Sequence, residues 1–197
     1  MNKKFDSNKI SRKEIVNYLN QSSDIAEYQL TLIDEIVKVT EVCIETLNNG
    51  GKIIFCGNGG SASDSQHLAA ELVGRFMKNR KPIPAISINT DTSVLTSISN
   101  DFGYNYVFSK QIEALGNEKD TLFLLTTSGK SKNIIEAGNK AKEIGLSVIS
   151  MSGNNIQELK EFSTMIISIP SNVPGIVQQA HITIGQLICM NIEDSLI

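Results

Sequence analysis

Ile25, Tyr28, Leu32, Ile36, Val39, Cys43 and Leu47 recur in steps of three and four residues. That spacing lines one face of a helix. Asp24 with Glu27 three residues on makes a capping-box start, and Asn48, Asn49, Gly50 and Gly51 supply the stop. A second stripe of Leu30, Ile33, Val37 and Ile44 widens the apolar arc, so this helix should pack on two sides, one of them against another subunit. Residues 1–21 are polar and carry at most an amphipathic helix.

Beyond residue 51 the pattern changes. Short apolar runs at 52–56, 84–88, 121–125, 147–151 and 164–169 predict strands. Helical stretches at 61–77, 92–98, 106–115 and 132–144 fall between them, and a last helix covers 173–193. Such alternation predicts an α/β fold, a five-stranded parallel sheet with helices on both faces. Right-handed crossovers gather the strand-to-helix loops along one edge, where ligands bind. No linker interrupts the pattern, so residues 1–197 are expected to form one domain, with 1–50 as a helical extension packing in an oligomer.

With 41% hydrophobic and 20% charged residues, wholesale disorder is excluded. A net charge of −3 argues against a strongly basic nucleic-acid surface. No run reaches the ~18–20 apolar residues of a membrane span, and the charged start MNKKFDSNKISRKE lacks a signal-peptide core. The expected location is the cytoplasm. Cys43, Cys56 and Cys189 sit in apolar contexts and read as small buried hydrophobes.

The chemistry concentrates in the loops. Residues 56–65, CGNGGSASDS, follow the first strand and open a helix. Their glycines allow close backbone approach, and serines with free N–H groups suit an anion at a helix N-terminus. The spacing matches neither a P-loop nor G-x-G-x-x-G, which disfavours a nucleotide enzyme or an oxidoreductase. Residues 126–131, TTSGKS, repeat the arrangement after the third strand with hydroxyls at Thr126, Thr127, Ser128 and Ser131. Two hydroxyl-rich loops after parallel strands point to an anionic ligand, such as a phosphate monoester. His67 and Glu71 lie four apart on one helix face, fit for proton transfer, metal binding or a plain surface pair. In the last helix Gln178, His181 and Gln186 form a polar stripe that needs partners if buried. The segment SNDFGY at 99–104 offers amide, carboxylate and aromatic groups for sugar hydroxyls, though an Asp101 N-cap also explains it.

Together the segments CGNGGSASDSQHLAAELVGR (56–75), SNDFGYNYVFSKQIEALG (99–116) and TTSGKSKN (126–133), with the looser IVQQAHITIGQL (176–187), resemble the phosphoheptose isomerase family. The resemblance covers nearly the whole chain. It implies the sugar isomerase (SIS) fold, a flavodoxin-like three-layer αβα sandwich with a long N-terminal helix, assembled as a homotetramer with active sites near subunit interfaces. It also implies an aldose–ketose isomerase that turns sedoheptulose 7-phosphate into D-glycero-D-manno-heptose 7-phosphate, opening the route to nucleotide-activated heptose for lipopolysaccharide or related glycans.

By the same resemblance Asn58, Gly59, Gly60, Asn100 and Asp101 contact substrate. Ser61, Thr126, Thr127, Ser128 and Ser131 hold its phosphate, Glu71 is the catalytic carboxylate, and His67 is the imidazole left to assist it. A zinc ion, one per subunit, would be held by His67, Glu71, Gln178 and residue 186. The family usually carries His at that last position, eight residues after the matched Gln; here it is Gln186. An amide oxygen binds zinc far more weakly than imidazole, and it is neither acid nor base near neutral pH. The alternative of another class is a non-catalytic SIS-fold scaffold that binds the bacterial replication initiator, or a phosphosugar sensor.

Overall fold

A computed structural model describes residues 9–196. The chain runs α1 (Arg12–Tyr28), α2 (Ile33–Asn48), β1 (Ile53–Gly57), α3 (Gly60–Val73), β2 (Ala85–Ser87), α4 (Thr92–Asp101), α5 (Ser109–Leu115), β3 (Thr121–Thr126), α6 (Lys132–Glu143), β4 (Ser147–Ser152), β5 (Met165–Ser168) and α7 (Pro174–Asp194). All five expected strands form, each within one or two residues of its expected span. They pair in parallel in the order β2-β1-β3-β4-β5.

Successive strand residues feed opposite faces. Ile53, Phe55, Phe123, Leu125, Ile149 and Met151 pack with α2, α3 and α7. Ile54, Cys56, Leu122, Leu124 and Val148 pack with α5 and α6. The expected αβα layering is therefore present, and the continuous apolar runs follow from burial on both sides. All three cysteines are free and buried, as expected.

The N-terminal helix differs from its expectation. It begins at Ser11, whose hydroxyl accepts from the Glu14 N–H (3.2 Å), while Asp24 lies inside α1. A 3-10 turn at Gln29–Leu32 then splits the segment before α2. The first apolar stripe behaves as expected: Leu32, Ile36, Val39 and Cys43 join the core. In the second, Leu30, Ile33 and Val37 are exposed, together with Ile15, Val16 and Leu19 of α1. The part of the polar 1–21 segment before Lys9 lies outside the described residues.

The expected helix over 61–77 stops at Val73. Arg80 folds back and donates to the carbonyls of Glu71 (2.7 Å), Leu72 (2.7 Å) and Gly74 (3.2 Å), satisfying orphan groups at the helix end. Buried Glu193 near the end of α7 accepts from the N–H groups of Phe76, Met77 and Lys78 and from Arg80 Nε (2.9 Å). Earlier along the same pair of helices, Gly185 leaves room for the Leu68 side chain. α3 and α7 thus run side by side.

Candidate active site

The chain leaves β1 for β2 on one side and returns to β3 on the other. β1 and β3 therefore flank the topological switch point, where a crevice opens beyond the strand ends. The two loops singled out in the sequence are the two that leave these strands.

The first loop is held in place by amides. Asn89 donates to the Gly57 carbonyl (2.7 Å) and accepts from its N–H (3.2 Å). Gly59, the N-cap of α3, has φ +58, a conformation that favours glycine. Asn58 exchanges hydrogen bonds with Asn133 at 2.8 and 2.9 Å, and its Oδ1 also accepts from the Tyr104 hydroxyl (3.0 Å). Asn58 thereby ties together the loop after β1, the first turn of α6 and the segment after α4. Asn133 and Tyr104 stand inside recognised segments, yet their link to Asn58 is a long-range pairing that no spacing rule reveals.

In the second loop Thr126 is buried, and its Oγ1 accepts from the Gly129 N–H (3.1 Å). It shapes the loop. Ser128 Oγ accepts from the Lys130 N–H (3.2 Å), and Ser131 is the N-cap of α6 without a side-chain capping bond. Gly129 has φ +64 with the Asn155 carbonyl where a Cβ would stand. Thr127, Ser128 and Ser131, with the N-terminus of α6, make a neutral cradle of the kind that binds phosphate. Ser61, by contrast, is buried, and its carbonyl accepts from the Ser65 hydroxyl.

On α3, His67 Nε2 lies 2.9 Å from Glu71 Oε1. The imidazole is half exposed and the carboxylate mostly covered, at 53% and 17% side-chain exposure. One turn earlier is Asp64, which the sequence reading passed over. One of its carboxylate oxygens is buried without a partner, and burial raises its pKa to about 6 against the opposing pull of His67. The Gln178 amide lies against Gly60, filling the space a Cβ would take. Asn100 and Asp101 end α4 in contact with each other (2.8 Å) and are exposed. Asp101 is therefore a helix-terminal residue and not the N-cap that the sequence allowed.

The polar stripe of α7 divides. His181 is fully buried with neither ring nitrogen hydrogen-bonded. Burial pushes its pKa down to about 4, with the nearby Ser152 carbonyl pulling the other way. The interhelical network allowed by the sequence does not include its imidazole. Gln186 is partly buried, just after the Gly185–Leu68 contact.

The four expected zinc ligands, His67, Glu71, Gln178 and Gln186, offer one imidazole, one carboxylate and two amides, with Asp64 a second carboxylate one turn before His67. Among the described residues, no group of three or more His, Cys, Asp or Glu side chains comes together to hold a metal ion. Zinc sites are built chiefly from imidazole, thiolate and carboxylate, so this set does not fit zinc well.

A SIS domain family model matches residues 17–153. A phosphoheptose isomerase of Helicobacter pylori (strain P12) is 47% identical over 165 residues, 83% of this chain and 86% of the relative. The structure of a phosphoheptose isomerase from Francisella tularensis superposes with a TM-score of 0.89 at 31% identity, covering 94% of this chain and 99% of that one. A Neisseria gonorrhoeae phosphoheptose isomerase superposes with a TM-score of 0.86 at 34% identity, over 93% and 98%. With the switch-point loops and the His67–Glu71 pair in place, the chain belongs to the phosphoheptose isomerase family of SIS-domain proteins.

Proposed function

We infer that this chain is an aldose–ketose isomerase that converts sedoheptulose 7-phosphate to D-glycero-D-manno-heptose 7-phosphate. The observation that carries the reading is the His67–Glu71 pair on α3, the helix that opens from β1, taken with the hydroxyl-lined loop that leaves the neighbouring strand β3. The close relatives bearing the isomerase name support the substrate class.

The chemistry needs an acid and a base but no redox partner. The substrate phosphate sits at the N-terminus of α6 on Thr127, Ser128 and Ser131, with Thr126 bracing the loop. Gly59 and Gly60 let the sugar approach the backbone, and Asn58, Asn100, Asp101 and Gln178 take hydroxyl contacts. Glu71 carboxylate removes a proton from C1 of the ketose as His67 imidazolium protonates the carbonyl oxygen at C2. This gives the neutral enediol. The Glu71 carboxyl then delivers its proton to C2, and neutral His67 takes the proton from the C1 hydroxyl. The aldose forms, and both side chains return to their starting states.

The exposed stripe of Ile15, Val16, Leu19, Leu30, Ile33 and Val37 supports assembly through α1 and α2, and we propose a homotetramer. No helix among the described residues is long and apolar enough to cross a membrane. We propose a cytoplasmic setting and a product used for lipopolysaccharide or related heptose glycans. The test is conversion of sedoheptulose 7-phosphate followed by NMR, alongside capture of the replication initiator. Conversion supports the enzyme. Initiator capture by folded protein without conversion supports the scaffold.

A further inference from the structure

We propose that the acid–base centre of this chain works without a resident zinc ion, and that Gln186 is the residue responsible. The inference rests on the isomerase reading for its catalytic half; its metal-binding half stands on the donor set alone. Four-coordinate zinc needs several donors of the imidazole, thiolate or carboxylate kind. The resemblance supplies two, His67 and Glu71, and they already hydrogen-bond each other at 2.9 Å. The Asp64 carboxylate lies one turn before His67, yet the three do not come together as a metal-holding group among the described residues.

The other candidates are amides. Gln178 lies against Gly60 at the start of α3. Gln186 follows Gly185, which packs on Leu68, the neighbour of His67. An imidazole at residue 186 would turn a weak set into three strong donors and one amide. Among the described residues, no group of three or more His, Cys, Asp or Glu side chains makes up the shortfall. The second histidine, His181, is fully buried in α7, with the Ser152 backbone near its ring. The thiol of Cys189 is buried with its sulfur toward the Leu68 carbonyl (3.9 Å).

The proton bookkeeping of the isomerisation closes without a metal. Glu71 and His67 exchange charge states in the first half and restore them in the second, so no further Lewis acid is needed to balance the step. The hydrogen bond between them holds base and acid on one helix face, one turn apart.

The test is zinc affinity of the whole protein and of Gln186→His, measured by competition with a chromogenic chelator, together with turnover before and after chelation. Even outer-sphere changes move metal affinity ~10–100-fold, so the new imidazole is expected to tighten zinc at least ~100-fold. Wild-type turnover is expected to be unchanged by chelation. Stoichiometric zinc that survives the chelator in the wild type, or turnover lost on stripping and restored by zinc, would overturn the proposal. Equally weak binding by both proteins would overturn the role given to residue 186. Zinc affinity is read without substrate, so an inactive protein that binds zinc weakly sinks the isomerase reading and leaves the metal inference standing.

Discussion

Replacing Glu193 by Gln tests the junction that holds the end of α3 against α7. The Glu193 carboxylate is 1% exposed and accepts from three backbone N–H groups at 2.8–3.1 Å and from Arg80 Nε at 2.9 Å. Burial alone would raise its pKa. The three N–H groups and the guanidinium outweigh that and hold it below the ordinary glutamate value. Gln keeps the shape but leaves the largely buried Arg80 charge without its partner, and turns an N–H2 toward donors. Breaking a buried ion pair on one side costs about 3–5 kcal/mol. At ~2–4 °C per kcal/mol for a chain of this size, the melting temperature should fall roughly 6–20 °C. A control sits one residue away: the Lys78–Asp194 pair is about half exposed, and Asp194→Asn should cost under ~1 kcal/mol. Urea unfolding at fixed protein concentration reads both. Removing Arg80 as well, as Arg80→Met, should cost less than the sum of the single changes, because the stranded charge is gone. A Glu193→Gln loss as small as that of Asp194→Asn would refute the argument.

Four further outcomes follow from the site. Glu71→Gln should lower turnover ~10²–10⁴-fold while sugar-phosphate binding survives, read by NMR conversion and by ligand-induced thermal shift. Gly60→Ala places a methyl where the Gln178 amide lies; because that amide ends a flexible side chain, the fold should hold while turnover falls, seen as unchanged melting with reduced kcat/KM. Gly129→Ala meets the Asn155 carbonyl at φ +64, so it should lose both stability and phosphate affinity in thermal-shift titrations with inorganic phosphate. His181 has a folded pKa of about 4 against 6.5 for the free side chain. Its neutral form is favoured in the fold, so its contribution is whole above pH ~6.5 and is lost as pH falls toward ~4, by up to ~3 kcal/mol. The difference between wild type and His181→Gln in urea unfolding at pH 7.5 and pH 5 isolates this from the opposite trend of Asp64.

The strands were legible because a sheet covered on both faces demands continuous apolar runs, and each run here is bounded by turn or polar residues. The His67–Glu71 pair was legible because a helix places residues four apart on one face. What the sequence hid was long-range. Asn58 meets Asn133 across 75 positions, and Arg80 meets Glu193 across 113. The apolar spacing favours a start at Asp24 because Ile25 onward has a core to face, whereas Ile15, Val16 and Leu19 are exposed among the described residues. The Ser11–Glu14 capping signal was present in the sequence all the same. The break at Gln29–Leu32 carries neither Gly nor Pro, so nothing local announces it. His181 read as part of a polar stripe because spacing shows which face a residue shares, not whether that face finds hydrogen-bond partners.

The most direct test of the central claim is a time course of sedoheptulose 7-phosphate with wild type and Glu71→Gln side by side, followed by NMR. The account predicts steady conversion to the aldose phosphate by the wild type and a rate at least ~10²-fold lower for the variant, with both proteins folded and binding the sugar. Folded wild type that binds the sugar phosphate and leaves it unchanged would contradict the account, as would a variant that keeps pace with the wild type.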